Sequence, residues 1–178
     1  KQDAHKRQYF TSFPRVLVIQ LKRFHFNNLT KQMEKINDKF IFTDHLDLSS
    51  FASPQIRSHV VSRYSCFGVV VHSGSIDSGH YYSYIKHYMS SNNCWYKLND
   101  TQVSLAETYE VFTCNYGGNI YAYNYDMYRG CIAEMKTINN SSAYLLVYVR
   151  QDVLDELFTP EMKLCDVPKE TVELFHYE

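Results

Sequence analysis

The stretch from Tyr64 to Ile85 constrains the fold more than any other part of this chain. Tyr64-Ser65-Cys66-Phe67-Gly68-Val69-Val70-Val71-His72 is a run of apolar and β-branched residues with the look of a central strand. Ser73 to Gly79 follows as a small-residue loop bounded by turn formers. His80-Tyr81-Tyr82-Ser83-Tyr84-Ile85 then reads as the neighbouring strand. A chain holding such a pair is built around a sheet. Its 16 Tyr and 11 Phe, set against six Gly and four Pro, point the same way.

Other segments extend the sheet. Arg15 to Phe26 begins as a continuous apolar run and ends in alternation, as expected of a strand whose first half is buried on both faces. Pro14 stands just before it, where a missing amide does least harm. Phe40-Ile41-Phe42 and Leu46-Asp47-Leu48 read as short extended pieces, Trp95 to Leu98 and Val103 as further strand, and Ala143 to Arg150 as a last one. Helical patterning is confined to Leu105–Phe112, Asp152–Phe158 and Lys169–Phe175, the last behind Pro168. Tyr116 to Asn140 is rich in Tyr, Asn and Gly without periodicity and reads as a long insertion or loop. The expected class is α+β, a mostly antiparallel sheet with peripheral helices.

Composition limits the function. With 18 Lys and Arg against 19 Asp and Glu, the formal net charge is −1, which argues against a nucleic-acid partner held on a broad basic face. The longest apolar run, Ala143 to Val149, is too short for a membrane span, and no secretory signal is visible. Five cysteines are present, an odd number with no CxxC pair, so neither a disulfide framework nor a structural zinc site is expected. They read as reduced thiols of an intracellular protein, in cytoplasm or nucleus. No metal and no cofactor is expected.

Among eight histidines, His80 has a distinct setting, with a flexible loop before it and a Tyr-rich strand after it. Downstream, Trp95-Tyr96-Lys97-Leu98 ends in Asn99-Asp100. If the two strands are antiparallel neighbours, His80 at the start of one faces Asn99 or Asp100 at the end of the other. A base held in one tautomer by a polar group is the back half of a Cys-His-Asn/Asp constellation. On spacing alone the more ordinary reading, a loop histidine followed by a turn, also stands.

Five motifs occur in a characteristic order: Leu21-Lys22-Arg23-Phe24, Val69-Val70-Val71-His72-Ser73-Gly74, Gly79-His80-Tyr81-Tyr82-Ser83-Tyr84, Trp95 to Ser104, and Ala143 to Tyr148. Together they resemble the C-terminal half of a ubiquitin-specific protease catalytic domain, a papain-like deubiquitinase fold. Lys35-Ile36-Asn37-Asp38-Lys39-Phe40, Cys114-Asn115-Tyr116-Gly117-Gly118 and the tail from Val149-Arg150 to Asp166-Val167-Pro168 resemble the herpesvirus-associated branch of that family. The resemblance implies that His80 is the general base and Asn99 its orienter, with Asp100 assisting. Asn stands where many relatives carry Asp, and Leu98 replaces the usual Phe. The resemblance also implies that the Ser73–Gly79 loop moves when the ubiquitin tail arrives. Gly79 would allow close backbone approach, Tyr81 would line the tail channel, and His72 would lie near it.

One departure matters. The family's nucleophile lies upstream in a Gly-Asn-Thr-Cys-Tyr-type stretch opening a helix, and none of Cys66, Cys94, Cys114, Cys131 and Cys165 has that setting. The zinc-ribbon cysteines of many relatives would also lie upstream. The expectation is therefore a piece of a longer enzyme, inactive alone, whose partners are ubiquitin, ubiquitinated proteins and the missing N-terminal half of its own domain. Residues 1–150 would be the C-terminal part of the catalytic domain and 151–178 a helical extension. Without its other half the chain would expose apolar surface and associate. The alternatives are a non-catalytic ubiquitin-binding module and an unrelated antiparallel-sheet interaction domain. Lys22-Arg23 is expected at a solvated strand edge. Tyr121, Tyr123, Tyr125 and Tyr128 are expected to pack within their loop, and Val153, Leu154, Leu157 and Phe158 to dock on the parent sheet.

Overall fold

The computed structural model describes residues 2–4, 6–88, 94–126 and 131–158, with backbone alone at 122–126 and 131–135. In chain order the strands are β1 (Val16–Gln20), β2 (Phe24–Asn27), β3 (Gln32–Lys35), β4 (His45–Asp47), β5 (Arg63–Gly74), β6 (Gly79–Lys86), β7 (Trp95–Asn99) and β8 (Gln102–Ala106). Helix α1 (Thr108–Val111) precedes β9 (Asn119–Asp126), β10 (Cys131–Ile138) and β11 (Ser141–Arg150), and α2 (Leu154–Leu157) follows. Seven strands form one antiparallel sheet in the order β1-β11-β5-β6-β7-β8, with β4 added beside the start of β5. The class is α+β, as expected.

β5 runs through the centre and buries Tyr64, Cys66, Val69 and Val71 completely. Its ladder with β11 carries two irregularities, which leave Tyr144 unpaired on β11 and Phe67 unpaired on β5. The first sets Tyr144 beside Tyr81 and Phe24. The second sets Phe67 against Tyr88 and Phe158, so the chain after β11 folds back onto the sheet and buries Val153. Docking of that apolar stripe follows the expectation for Val153 and Phe158. Helix α1 starts with a capping box between Glu107 and Glu110. It delivers Val111 and Phe112 to the core, where Phe112 meets Trp95 and Phe42.

Several expectations need correction. The Arg15–Phe26 segment is two strands in two sheets. Its first part is the edge strand β1, with Leu17 and Ile19 packed inward but Val16 and Val18 43% and 55% exposed. A run of β-branched residues therefore marked an edge and not a doubly buried strand, since propensity follows the pleated backbone more than burial. Its second part, β2, pairs with the unexpected β3. Phe40 to Phe42 is not a strand, although Phe42 is buried. Leu105 belongs to β8, and only Thr108–Val111 is helical. The aperiodic Tyr116–Asn140 stretch contains the regular antiparallel hairpin β9–β10, from Asn119↔Ile138 to Asp126↔Cys131. Tyr121 is 57% exposed and does not pack within a loop. The side chains of Tyr123, Tyr125 and Cys131, and all of Tyr128, Cys165 and the Lys169–Phe175 segment, lie outside what is described.

Arg23 is the sharpest difference. It is not at a solvated edge but 3% exposed, and its guanidinium donates to the carbonyls of Ala143 (2.9 Å), Asp38 (2.6 Å) and Tyr116 (3.3 Å). It ties β11 to the segments after β3 and before β9. At Gly117 and Gly118, φ values of 76° and 79° turn the chain so that the Gly118 amide reaches the Asn37 carbonyl.

Candidate active site

The site grows from the meander β5–β6–β7–β8. The β6–β7 ladder pairs Lys86 with Trp95 at one end and Ser83 with Leu98 at the other. Running on past that last pair, the two strands bring His80 and Asn99 to the same end of the sheet. His80 Nε2 lies 2.5 Å from Asn99 Oδ1, and 3.8 Å from an Asp100 carboxylate oxygen. The sequence expectation of antiparallel neighbours is met, and all three polar groups converge.

Asp100 occupies the tight β7–β8 turn with φ of 51°, a left-handed conformation that Asp tolerates better than most residues. The turn is thus built from the residue that also offers its carboxylate to His80. His80 is about half exposed (49%), with the Tyr82 ring beside it at 6.4 Å. An amide oxygen accepts and does not donate, so Asn99 selects the tautomer with hydrogen on Nε2. That leaves the lone pair on Nδ1. Such an imidazole is a base at one nitrogen and is held in place at the other.

The loop before His80 is pinched by two glycines. Gly74 and Gly79 face each other at the last rung of the β5–β6 ladder, and Gly74 has φ of 96°. A Cβ at Gly79 would overlap the His72 imidazole, so this glycine is required by an internal neighbour. His72 is 3% exposed, enclosed by Phe24 (5.1 Å) and Tyr81 (4.8 Å), and its Nδ1 has no hydrogen-bond partner. Burial, and secondarily the charge of Lys35, hold its pKa below the ordinary value. Tyr81 bridges His72 and Tyr144 while remaining 48% exposed, so it presents one face outward.

Lys35 received no role from the sequence, although it opens one of the quoted motifs. Its ammonium donates to the carbonyls of His72 (3.3 Å), Gly74 (2.9 Å) and Asn140 (2.6 Å). Burial, and then the Arg23 guanidinium, lower its pKa to about 8. No pattern in the sequence marks such a contact, because its acceptors are backbone groups far along the chain.

Cys66 is fully buried, and desolvation, reinforced by Asp44, pushes its thiol up to about 12. Cys94 is partly buried and Cys114 is exposed. Among the described residues no cluster of three potential metal ligands occurs, and no helix is long and apolar enough to cross a membrane.

Comparison with known proteins addresses the same region. Residues 1–148 match the family described as ubiquitin carboxyl-terminal hydrolase. Ubiquitin carboxyl-terminal hydrolase 5 of Schizosaccharomyces pombe is 40% identical over 159 residues, covering 89% of this chain and 14% of that protein. Ubiquitin carboxyl-terminal hydrolase 15 of Saccharomyces cerevisiae is 36% identical over 182 residues, covering 96% of this chain and 15% of that protein. The chain therefore spans about a seventh of the length of these relatives. A solved SAGA DUB module aligns with a TM-score of 0.51 and 27% identity, over 78% of this chain and 24% of that one. A match across most of the chain, on the sheet that brings His80 and Asn99 together, makes this chain a member of the ubiquitin carboxyl-terminal hydrolase family.

Proposed function

We propose that this chain carries the base and its orienter for a deubiquitinating cysteine protease, with His80 as general base, Asn99 as orienter and Asp100 assisting. The observation that carries the reading is the pairing of His80 Nε2 with Asn99 Oδ1 at 2.5 Å. Nδ1 of His80 takes the proton of a thiol, and the thiolate attacks the carbonyl carbon of ubiquitin's terminal Gly. The imidazolium, steadied by Asn99 and by the Asp100 carboxylate, returns its proton to the departing amine. His80 then deprotonates water, which cleaves the acyl-thioester and releases ubiquitin's carboxylate and the free thiol.

The thiol comes from outside the described residues. Cys66 is excluded by its burial, and neither Cys94 nor Cys114 opens a helix. None of Cys66, Cys94, Cys114, Cys131 and Cys165 lies in a Gly-Asn-Thr-Cys-Tyr-type stretch, so in this reading the chain alone is inactive and its partners are ubiquitin, ubiquitinated proteins and the segment bearing the nucleophile. Gly79, Tyr81 and His72 form the wall along which ubiquitin's tail runs, with Tyr81 offering its exposed face. The motifs beginning at Lys35 and Cys114 favour the herpesvirus-associated branch. Residues 1–150 act as the catalytic-domain portion, and the remainder is an extension beyond it.

The test uses the full polypeptide that contains this chain and ubiquitin bearing a fluorogenic amide at its C-terminus. His80→Ala should lower kcat by about a thousandfold or more, and Asn99→Ala by about 10- to 100-fold, with Asn99→Asp largely retaining activity. Full activity in His80→Ala would remove the reading. Binding of ubiquitin without turnover by the unmodified polypeptide would replace it with the binding-module alternative.

A further inference from the structure

The β2–β3 hairpin forms a two-stranded sheet of its own, apart from the main sheet. Such ribbons are marginal in water unless something else holds them. It meets the loop before His80 through one cross-strand pair, Phe24↔Lys35. Phe24 lays its ring against His72, and Lys35 sends its ammonium to the carbonyls of His72, Gly74 and Asn140. Asn140 O also accepts the Gly74 amide at 3.2 Å, so the end of β5 and the link from β10 to β11 meet at one cation. An ammonium has three donors, and here three carbonyls from two segments take them.

We propose that Lys35 is a positioning residue, a clasp that fixes the Gly74–Gly79 turn and the β2–β3 hairpin as one unit beside His80. The inference deepens the deubiquitinase reading and rests on it for its functional consequence. Gly74 faces Gly79 across the last rung of the ladder, and Gly79 abuts the His72 ring, so the clasp acts on the backbone leading directly into His80. His80 itself is held from the other side, by Asn99 on β7. Releasing Lys35 therefore loosens the wall that receives a peptide tail while leaving the base paired. A wall ordered before binding reduces the ordering cost of the complex, so its loss appears in KM more than in kcat.

Two readouts separate the clasp from the function. In the full polypeptide, Lys35→Met is compared with the unmodified protein by amide hydrogen exchange and by hydrolysis of the fluorogenic ubiquitin amide. Protection of amides between Ser73 and His80 should fall about tenfold, while amides of β7 and β8 keep theirs. KM should rise about tenfold with kcat changed less than twofold. Lys35→Arg, which keeps a charged donor set, should recover at least half of both losses. Unchanged exchange in the turn overturns the clasp whatever the activity. A fall in kcat at constant KM overturns its role in receiving the tail. Altered exchange in a polypeptide that hydrolyses nothing upholds the clasp and sinks the protease reading. If Lys35→Met does not fold, Lys35→Gln, with two donors for three acceptors, carries the same comparison.

Discussion

Replacing Arg23 by Met keeps a stem of similar length and removes only the guanidinium, so the stability lost is that of its hydrogen bonds. The bond from Nε to the Ala143 carbonyl is fully buried at 2.9 Å, and a charged donor lost there costs about 2–3 kcal/mol. The bonds to Asp38 and Tyr116 sit where water has some access and are worth about 1 kcal/mol each. A fourth approach, 3.4 Å to Ile36, is too long to add much. The sum is about 4–5 kcal/mol, a large share of the stability of an ordinary domain. At roughly 2–4 °C per kcal/mol for a chain of this size, the midpoint should fall by about 8–20 °C. Lys at this position reaches fewer of the three carbonyls and should lose about half as much. Urea titration of the purified protein, followed by intrinsic fluorescence of Trp95, measures the difference. A loss below about 1 kcal/mol with an unchanged m-value would refute the reasoning, since the carbonyls would then be satisfied equally well without Arg23.

Two further outcomes follow from titration. His72 is buried neutral with a pKa below 6.5, whereas in the unfolded chain it protonates near 6.5. Below that pH the unfolded state binds more protons than the folded one, so the His72 contribution is intact above about 6.5 and is lost as pH falls through that value. Unfolding free energies at pH 7.5 and 5.5 should differ less in His72→Gln than in the native sequence. An identical difference would assign the acid sensitivity to other groups. Cys66, with its thiol near 12, should resist iodoacetamide at pH 7.5 while the exposed Cys114 is alkylated, and should react once the protein is unfolded. Peptide mapping by mass spectrometry after a timed pulse reads both sites, and equal labelling in the native state would contradict the burial.

The meander was legible because its signals are local. An apolar run, a small-residue loop and a Tyr-rich run predict adjacent antiparallel strands, and the register then brings His80 to Asn99. Elements without a face in the core left no such trace. Among the described residues the β9–β10 hairpin forms a sheet of its own, its described side chains at 119–121 and 136–138 are exposed, and its Tyr and Asn content resembles a loop. β1 carries the composition of an interior strand yet forms an edge, because neighbours and not composition decide burial. Arg23 and Lys35 reach backbone carbonyls distant in sequence, and side chain to backbone bonds follow tertiary placement that no local pattern encodes. The resemblance of ordered motifs marked their neighbourhood without indicating what the two cations do there.

The β6–β7 ladder has one more consequence. His80 and Asn99 are 19 residues apart, yet their meeting depends on rungs from Lys86↔Trp95 to Ser83↔Leu98 and not on the length of chain between the strands. A slip of one rung would turn Asn99 to the opposite side of the sheet, whereas added residues between His87 and Cys94 leave every rung as it was. The pairing of the imidazole with its amide partner is therefore a property of strand register, set at the rungs and independent of how the far ends of the strands are joined.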